Sequence, residues 1–317
     1  MGDDKIVARV ARELAQGEAV DGLSRRLAPS DLQSLMLHVY RERSARRTPA
    51  ELLAHYERSL LFRPTAADAR ALVELERLAF ESASAFEALV LAPVAPLGIN
   101  AVLGQIDQNN CLSTVRGAEV MADPTTAQAL ECARRRRAGE RGTLRLCARS
   151  HQVRLQPFDV PGFSPHFTLF SMVTAGRDRG SLAFELESLR EHLGIYLGLL
   201  RRTGSAGYRI RDVKVSVSDT ERNGQRLDRV RAEVFQSLAA EFPEATLEID
   251  LTREQGRHYY AGLCLKIDAT DPSGLQMNLA DGGFTDWTQR LLSNAKERLL
   301  VSGIGIELLA KRFRASP

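Results

Sequence analysis

The sequence is poor in the features that usually announce a function. Its four cysteines, Cys111, Cys132, Cys147 and Cys264, form no CxxC pair and have no histidine cluster beside them. That spacing excludes the common structural zinc sites and leaves reduced, partly buried thiols as the expectation. No apolar run approaches the roughly 20 residues that a membrane-crossing helix needs. The opening stretch, MGDDKIVARVARELAQG, is charged throughout and lacks the apolar segment of a signal peptide. Residues 2–7 lack the Ser or Thr of a myristoylation signal. These absences together predict a cytoplasmic protein. An excess of one charge is missing too. The 43 basic residues face 40 acidic ones, a net charge of +3, and a nucleic-acid-binding domain would be more basic. There is no GxxxxGK[ST] loop, GxGxxG turn, HExxH helix or GxSxG elbow, so the common ATPase, dinucleotide, zinc-protease and hydrolase readings have no motif support.

What is present is enough apolar sequence, 44% of the residues, to bury a sizeable core. The first part of the chain reads as helices. Ile6, Val7, Val10 and Leu14 fall on one face. Ser30 with Gln33 makes a capping-box pattern ahead of an apolar stripe of Leu32, Leu35, Met36 and Val39. Thr48-Pro49-Ala50-Glu51 repeats that signal before Leu52, Leu53 and Tyr56. Thr65 and Asp68 open a longer helix that runs to Ser82, with Ala71, Leu72, Leu75, Leu78 and Ala79 facing inward.

From Phe86 the pattern changes. Strands are expected at residues 86–93, 118–121, 143–155, 166–175, 212–217, 259–269 and 276–279, and helices at 124–135, 184–200, 222–241 and after Gly305. The irregular alternation, with successive strands that read as hairpin partners, predicts an α+β fold with an antiparallel sheet rather than a doubly wound one. A helical extension over residues 1–64 and a core over 65–317 follow from this change. Arg134 to Arg137, followed by Arg141, is the one basic run. It reads as a solvated helix end more readily than as a phosphate or tRNA contact.

Several separated segments, each weak alone, occur in an order that resembles the catalytic core of class II aminoacyl-tRNA synthetases. A long helix precedes Phe86-Glu-Ala-Leu-Val-Leu-Ala-Pro93, which is similar to the helix and strand of motif 1, one residue longer than usual. Ala122-Asp-Pro-Thr-Thr-Ala127 resembles the R-P-(E/D)-x-T-A segment of histidyl-tRNA synthetases and of the ATP phosphoribosyltransferase regulatory subunit. Thr126 and Ala127 match, the Arg is absent, and Asp123 lies one place from the acidic position. Val153-Arg-Leu-Gln156, a loop with Pro161 and Gly162, and His166-Phe-Thr-Leu-Phe170 resemble motif 2, with Gln156 in place of its Glu. Gln255-Gly-Arg-His-Tyr-Tyr-Ala-Gly262 is similar to R-G-L-D-Y-Y-x-G, with Tyr259, Tyr260 and Gly262 retained and Gln255 in place of Arg. Asp281-Gly-Gly-Phe-Thr-Asp286 resembles G-G-R-Y-D. Gly303-Ile-Gly-Ile-Glu-Leu308 resembles motif 3, with Glu307 kept and Leu308 where the family has Arg.

The resemblance implies a class II synthetase-like antiparallel sheet flanked by helices, dimerising through the motif 1 region. It implies a pocket built from Arg154, Gln156, His166, Asp123, Thr126, Tyr259, Tyr260, Gly283 and Glu307. Arg154 stands where the family's Arg grips the α-phosphate and the substrate carboxylate, a task suited to a permanently charged fork. The family uses ATP with Mg²⁺, but Leu308 removes the γ-phosphate arginine, with Arg312 one turn later as the candidate substitute. Thr168, Leu169 and Val173 stand where a histidine-reading pocket has polar groups. The sequence stops shortly after motif 3, where the family's anticodon-binding domain would follow. No resident metal and no tRNA partner are therefore expected. The resemblance leaves two functions open. One is a homodimeric small-ligand-binding or regulatory protein with a degenerate ATP site, whose ligand carries a carboxylate or phosphate. The other is an ATP-dependent ligase that activates a carboxylate as an adenylate for a non-tRNA acceptor.

Overall fold

The computed structural model describes residues 19–156 and 163–315. The stripe of Ile6, Val7, Val10 and Leu14, and the loop with Pro161 and Gly162, lie outside the described residues. The chain divides into two compact units, Met1–Ser59 with Ser113–Ala118, and Leu60–Leu112 with Glu119–Pro317.

In the first unit, Thr48 caps the helix Pro49–Arg58. Its hydroxyl accepts from the Glu51 backbone N–H while the Glu51 carboxylate accepts from the Thr48 N–H, and Pro49 takes the first helical position. The expected capping box at Ser30 does not form. The helix Pro29–Ala45 starts two residues earlier, because Pro29, with no N–H to satisfy and a fixed φ, takes the first position behind Ala28. Neither helix has a buried residue. Leu35, Val39, Leu52, Leu53 and Tyr56 are exposed.

The second unit is built on an eight-stranded sheet. Its strands in chain order are β1 (Glu87–Leu89), β2 (Leu144–Val153), β3 (His166–Arg177), β4 (Arg211–Asp219), β5 (Thr246–Ile249), β6 (Leu263–Thr270), β7 (Gln276–Thr285) and β8 (Glu297–Ile304). They lie in the order β1-β2-β3-β8-β7-β6-β4-β5. All neighbours are antiparallel except the two edge pairs, β1 with β2 and β4 with β5. Each parallel pair is joined through a helix, as parallel pairing requires: Pro124–Arg137 in one case, and the helical run from Gly224 to Glu241 in the other.

The period of two along the strands gives the sheet two apolar faces. Phe170, Met172, Leu300 and Ile304 join one core with the helices Ala69–Ser82 and Ala183–Thr203. Val173, Ala175, Leu299 and Val301 join the other with Ala129, Cys132 and Trp287. The helix Ala69–Ser82, capped by Asp68, buries Ala71, Leu72, Leu75, Leu78 and Ala79 as its spacing predicts. All four cysteines are buried and unpaired. The arginine run is solvated in part, at Arg134 and Arg137, while its other members are drawn into ion pairs. Arg135 pairs with Glu87 and Glu131, Arg136 meets the buried Glu297, and Arg137 donates to the Leu291 carbonyl, so the run fastens its helix to the sheet.

His192 on Ala183–Thr203 is fully buried behind the sheet. It lies 2.9 Å from Thr174 Oγ1 and 2.7 Å from Ser302 Oγ. Burial pushes its imidazole down to about 3. The unfolded chain therefore takes up a proton near pH 6.5 that the folded chain refuses, and folding stability falls as pH drops below that value. Urea midpoints followed from pH 6.5 to 4.5 are expected to show this one-proton dependence, and His192→Gln to lose it. An unchanged slope in the variant contradicts the assignment.

Candidate functional site

A cavity of about 440 Å³ opens on the face of the sheet that carries Val301. Its wall includes Asp123, Arg154, Gln156, Tyr259, Tyr260 and Glu307 from the sequence reading, with Arg253, Asp281 and Leu308 beside them. The other three residues of that reading do not line it. Thr126 is fully buried in the first turn of its helix, where its hydroxyl donates to the Asp123 carbonyl. His166 lies at the start of β3, bonded to His151 and to the Arg63 carbonyl. Gly283 lies under the Tyr260 ring.

Arg154 follows directly on β2. Its Nε donates to the Ala122 carbonyl at 2.8 Å, and its guanidinium stands 5.6 Å from the centre of the Phe167 ring. The nearest carboxylate oxygen, of Asp123, is 4.0 Å from its Nη2, and neither Nη makes a hydrogen bond among the described residues. Glu307 is not its partner. That carboxylate is held by the Thr65 hydroxyl, by the Thr168 backbone N–H at 3.0 Å and by Lys311 Nζ at 2.6 Å. Burial alone would raise its pKa, but these donors outweigh burial and hold it below the usual carboxylate range. Glu307 thus ties the start of the unit to β3 and to the helix Ile306–Arg312.

Tyr259 and Tyr260 do not begin a strand, as the alternating pattern suggested. Gly256 (φ +77°) and Gly262 (φ +90°) take left-handed conformations that end extended backbone, and the N–H groups of both tyrosines bond to the Gly256 carbonyl. The turn sends both rings into the cavity wall, edge to face at 4.7 Å. Tyr259 donates to Asp123 and Tyr260 to Asp281, each at 2.6 Å. Burial, then the neighbouring carboxylate, pushes each phenol well above its usual pKa, which keeps both as donors. Arg253 and Asp281 form an ion pair at 2.9 Å that the motif reading missed. Its signal was weak, an acid ahead of two glycines and an Arg two places before the expected one. Arg312 does not replace the arginine lost at Leu308. It reaches the buried Asp271 at 2.6 Å, a carboxylate that needs a counter-charge, and it does not line the cavity.

The site tests whether ATP with Mg²⁺ fits. Arg154 could meet one phosphate, but the γ-phosphate clamp would have to come from Leu308, which is apolar, or Arg312, which is paired elsewhere. Of the cavity carboxylates, Glu307 is already bonded to three groups and Asp281 is paired with Arg253. Among the described residues no group of three or more His, Cys, Asp or Glu is placed to hold a metal. The donor set does not fit the cofactor.

A side chain at Gly283 would come within 2.6 Å of the Tyr260 ring and 2.8 Å of Cys264 Cβ. Gly283→Ala is therefore expected to destabilise the fold by about 1–3 kcal/mol through overpacking. Urea unfolding measures it, and a change below about 0.5 kcal/mol, the range of a neutral surface substitution, contradicts this packing.

A scan against protein-family models finds no match, and a search of curated proteins finds none either. Solved structures do match. An ATP phosphoribosyltransferase regulatory subunit/histidyl-tRNA synthetase from Bacillus halodurans aligns with a TM-score of 0.58 at 14% identity, over 78% of this chain and 82% of that one. A histidine–tRNA ligase subunit from Alicyclobacillus acidocaldarius aligns with a TM-score of 0.54 at 13% identity, over 78% and 96%. Apo histidyl-tRNA synthetase from S. aureus gives 0.54 at 14% identity, over 76% of this chain and 64% of that one. At such identities the likeness is one of architecture, and the chain has the class II synthetase-like fold of these proteins.

Proposed function

We propose that this protein is a non-catalytic, homodimeric small-ligand-binding or regulatory protein that uses the cavity beside Arg154 to hold a small carboxylate or phosphate. The observation that carries this reading is the state of Arg154. A guanidinium 28% exposed at the cavity, with Nε bonded and both Nη groups without hydrogen bonds among the described residues, is an anion receptor in waiting. Its charge faces the Phe167 ring and, among the described residues, has only the Asp123 carboxylate, 4.0 Å away, for a counter-ion, so a bound anion would complete its pairing. The groups that would handle ATP are engaged elsewhere or absent, which weighs against the ligase alternative. The regulatory-subunit description of one structural neighbour is consistent with a synthetase-like fold serving without catalysis.

Dimerisation is supported by apolar surface with no cover in the second unit. Val73 on Ala69–Ser82 is 66% exposed, Val90 fully exposed, and Leu97 and Val102 more than half exposed. Their apolar area favours association. Light scattering at micromolar concentration is expected to give a dimer, and a monomer contradicts it.

The ligand reading is tested by NMR-detected binding of small carboxylates and phosphates. Arg154→Ala is expected to weaken binding by about tenfold or more while leaving the fold intact, since a charged hydrogen-bonding partner is lost. Arg154→Lys is expected to retain part of the affinity without the fork. Equal binding by Arg154→Ala and the wild type overturns the reading.

A further inference from the structure

We propose that the cavity selects a ligand with two polar groups, an anion held by Arg154 and a hydroxyl that donates a hydrogen bond to Asp281. This rests on the Arg154 reading and adds a second point of recognition to it.

The argument is a count of donors and acceptors. Arg253 lines the cavity with four of its five N–H donors engaged. Its Nε donates to the Gln255 carbonyl, its Nη1 to the Leu265 carbonyl and its Nη2 to both oxygens of Asp281, and its side chain is 7% exposed. It is a fixed counter-charge. The Tyr260 hydroxyl donates its one hydrogen bond to Asp281 Oδ1. The amide nitrogen of Asn278 donates to the Ile267 and Ala280 carbonyls and to Asp268, which leaves only its oxygen. Ser302 is bonded to His192 and Tyr196. Gln255 is exposed and carries both a donor and an acceptor, so it sets no preference.

Asp281 is the opposite case. Oδ1 accepts from Tyr260 and Arg253, whereas Oδ2 accepts from Arg253 alone. A carboxylate oxygen has two acceptor positions, so one on Oδ2 stays open. The side chain is 38% exposed in the wall of the cavity. The two other carboxylates of the wall also accept three bonds each but are less accessible: Asp123 accepts from Thr125 twice and from Tyr259 and is 13% exposed, and Glu307 accepts from Thr65, Thr168 and Lys311 and is 2% exposed. The most accessible open carboxylate position is therefore at Asp281. A hydroxyl fills it without adding charge. A second carboxylate is an acceptor with no proton to donate to that oxygen, and an ammonium meets a carboxylate that Arg253 has already neutralised.

The test is NMR-detected binding of straight-chain C4–C8 carboxylates, their ω-hydroxy and ω-amino counterparts and the matching dicarboxylates to the wild-type protein. At the chain length that spans the two groups, the ω-hydroxy acid is expected to bind about tenfold tighter than the plain acid, one charge-assisted hydrogen bond. The ω-amino acid and the dicarboxylate are expected to fall below the ω-hydroxy acid. In Asp281→Asn the hydroxyl advantage shrinks and the dicarboxylate penalty disappears. If that variant does not fold, the wild-type series alone decides. Plain acids that match the hydroxy acids at every length, or an ω-amino acid or dicarboxylate that binds tightest, overturn the Asp281 assignment while Arg154 stands. Failure of every carboxylate to bind, or equal binding of plain acids by Arg154→Ala, overturns the Arg154 reading and this proposal with it.

Discussion

A charge in the interior must be paired, and the pairing around this cavity decides what the cavity is able to do. Glu307 is held by Lys311, Thr65 and a β3 N–H. Asp281 is held by Arg253 and Tyr260, and Asp271, outside the cavity, takes Arg312. Groups whose positions resemble those that handle a nucleotide in the synthetase core are thus closed on one another. Arg154, unlike Arg253, keeps both Nη groups without a hydrogen bond among the described residues. Breaking any closed pair would leave an uncompensated buried charge, at a cost of about 3–5 kcal/mol, so these pairs are not free to rearrange around a phosphate.

The same pairing explains which parts of the site were legible in the sequence. Arg154, Asp123 and the two tyrosines stand in segments whose order survives, and the fold brings them to one cavity. The Arg253–Asp281 pair was hidden because its members are 28 residues apart and neither occupies the expected motif position. Glu307 matched its motif, but its three partners come from distant segments, and no local pattern announces them.

The fold was more legible than the site. The helix Ala69–Ser82 has a cap and a clean 3.6-residue stripe, β2 alternates with few interruptions, and β3, buried along most of its length, shows by its Phe and Val content. The strand β8 escaped notice because it is buried on both faces, so Leu299, Leu300 and Val301 form a run rather than an alternation. The tyrosine turn was read as a strand because aromatic residues favour strands, while the glycines at positive φ on either side decide the backbone. The edge strands are parallel because helices connect them, a long-range feature that no local pattern encodes.

The central claim is that the fold keeps a ligand pocket without adenylate chemistry. ATP–pyrophosphate exchange, run with Mg²⁺ and a panel of amino acids, tests it most directly. Glu307 and Arg312 are engaged and Leu308 carries no charge, so no exchange above background is predicted for any amino acid. Amino-acid-dependent exchange by the purified protein would contradict the claim and favour the ligase.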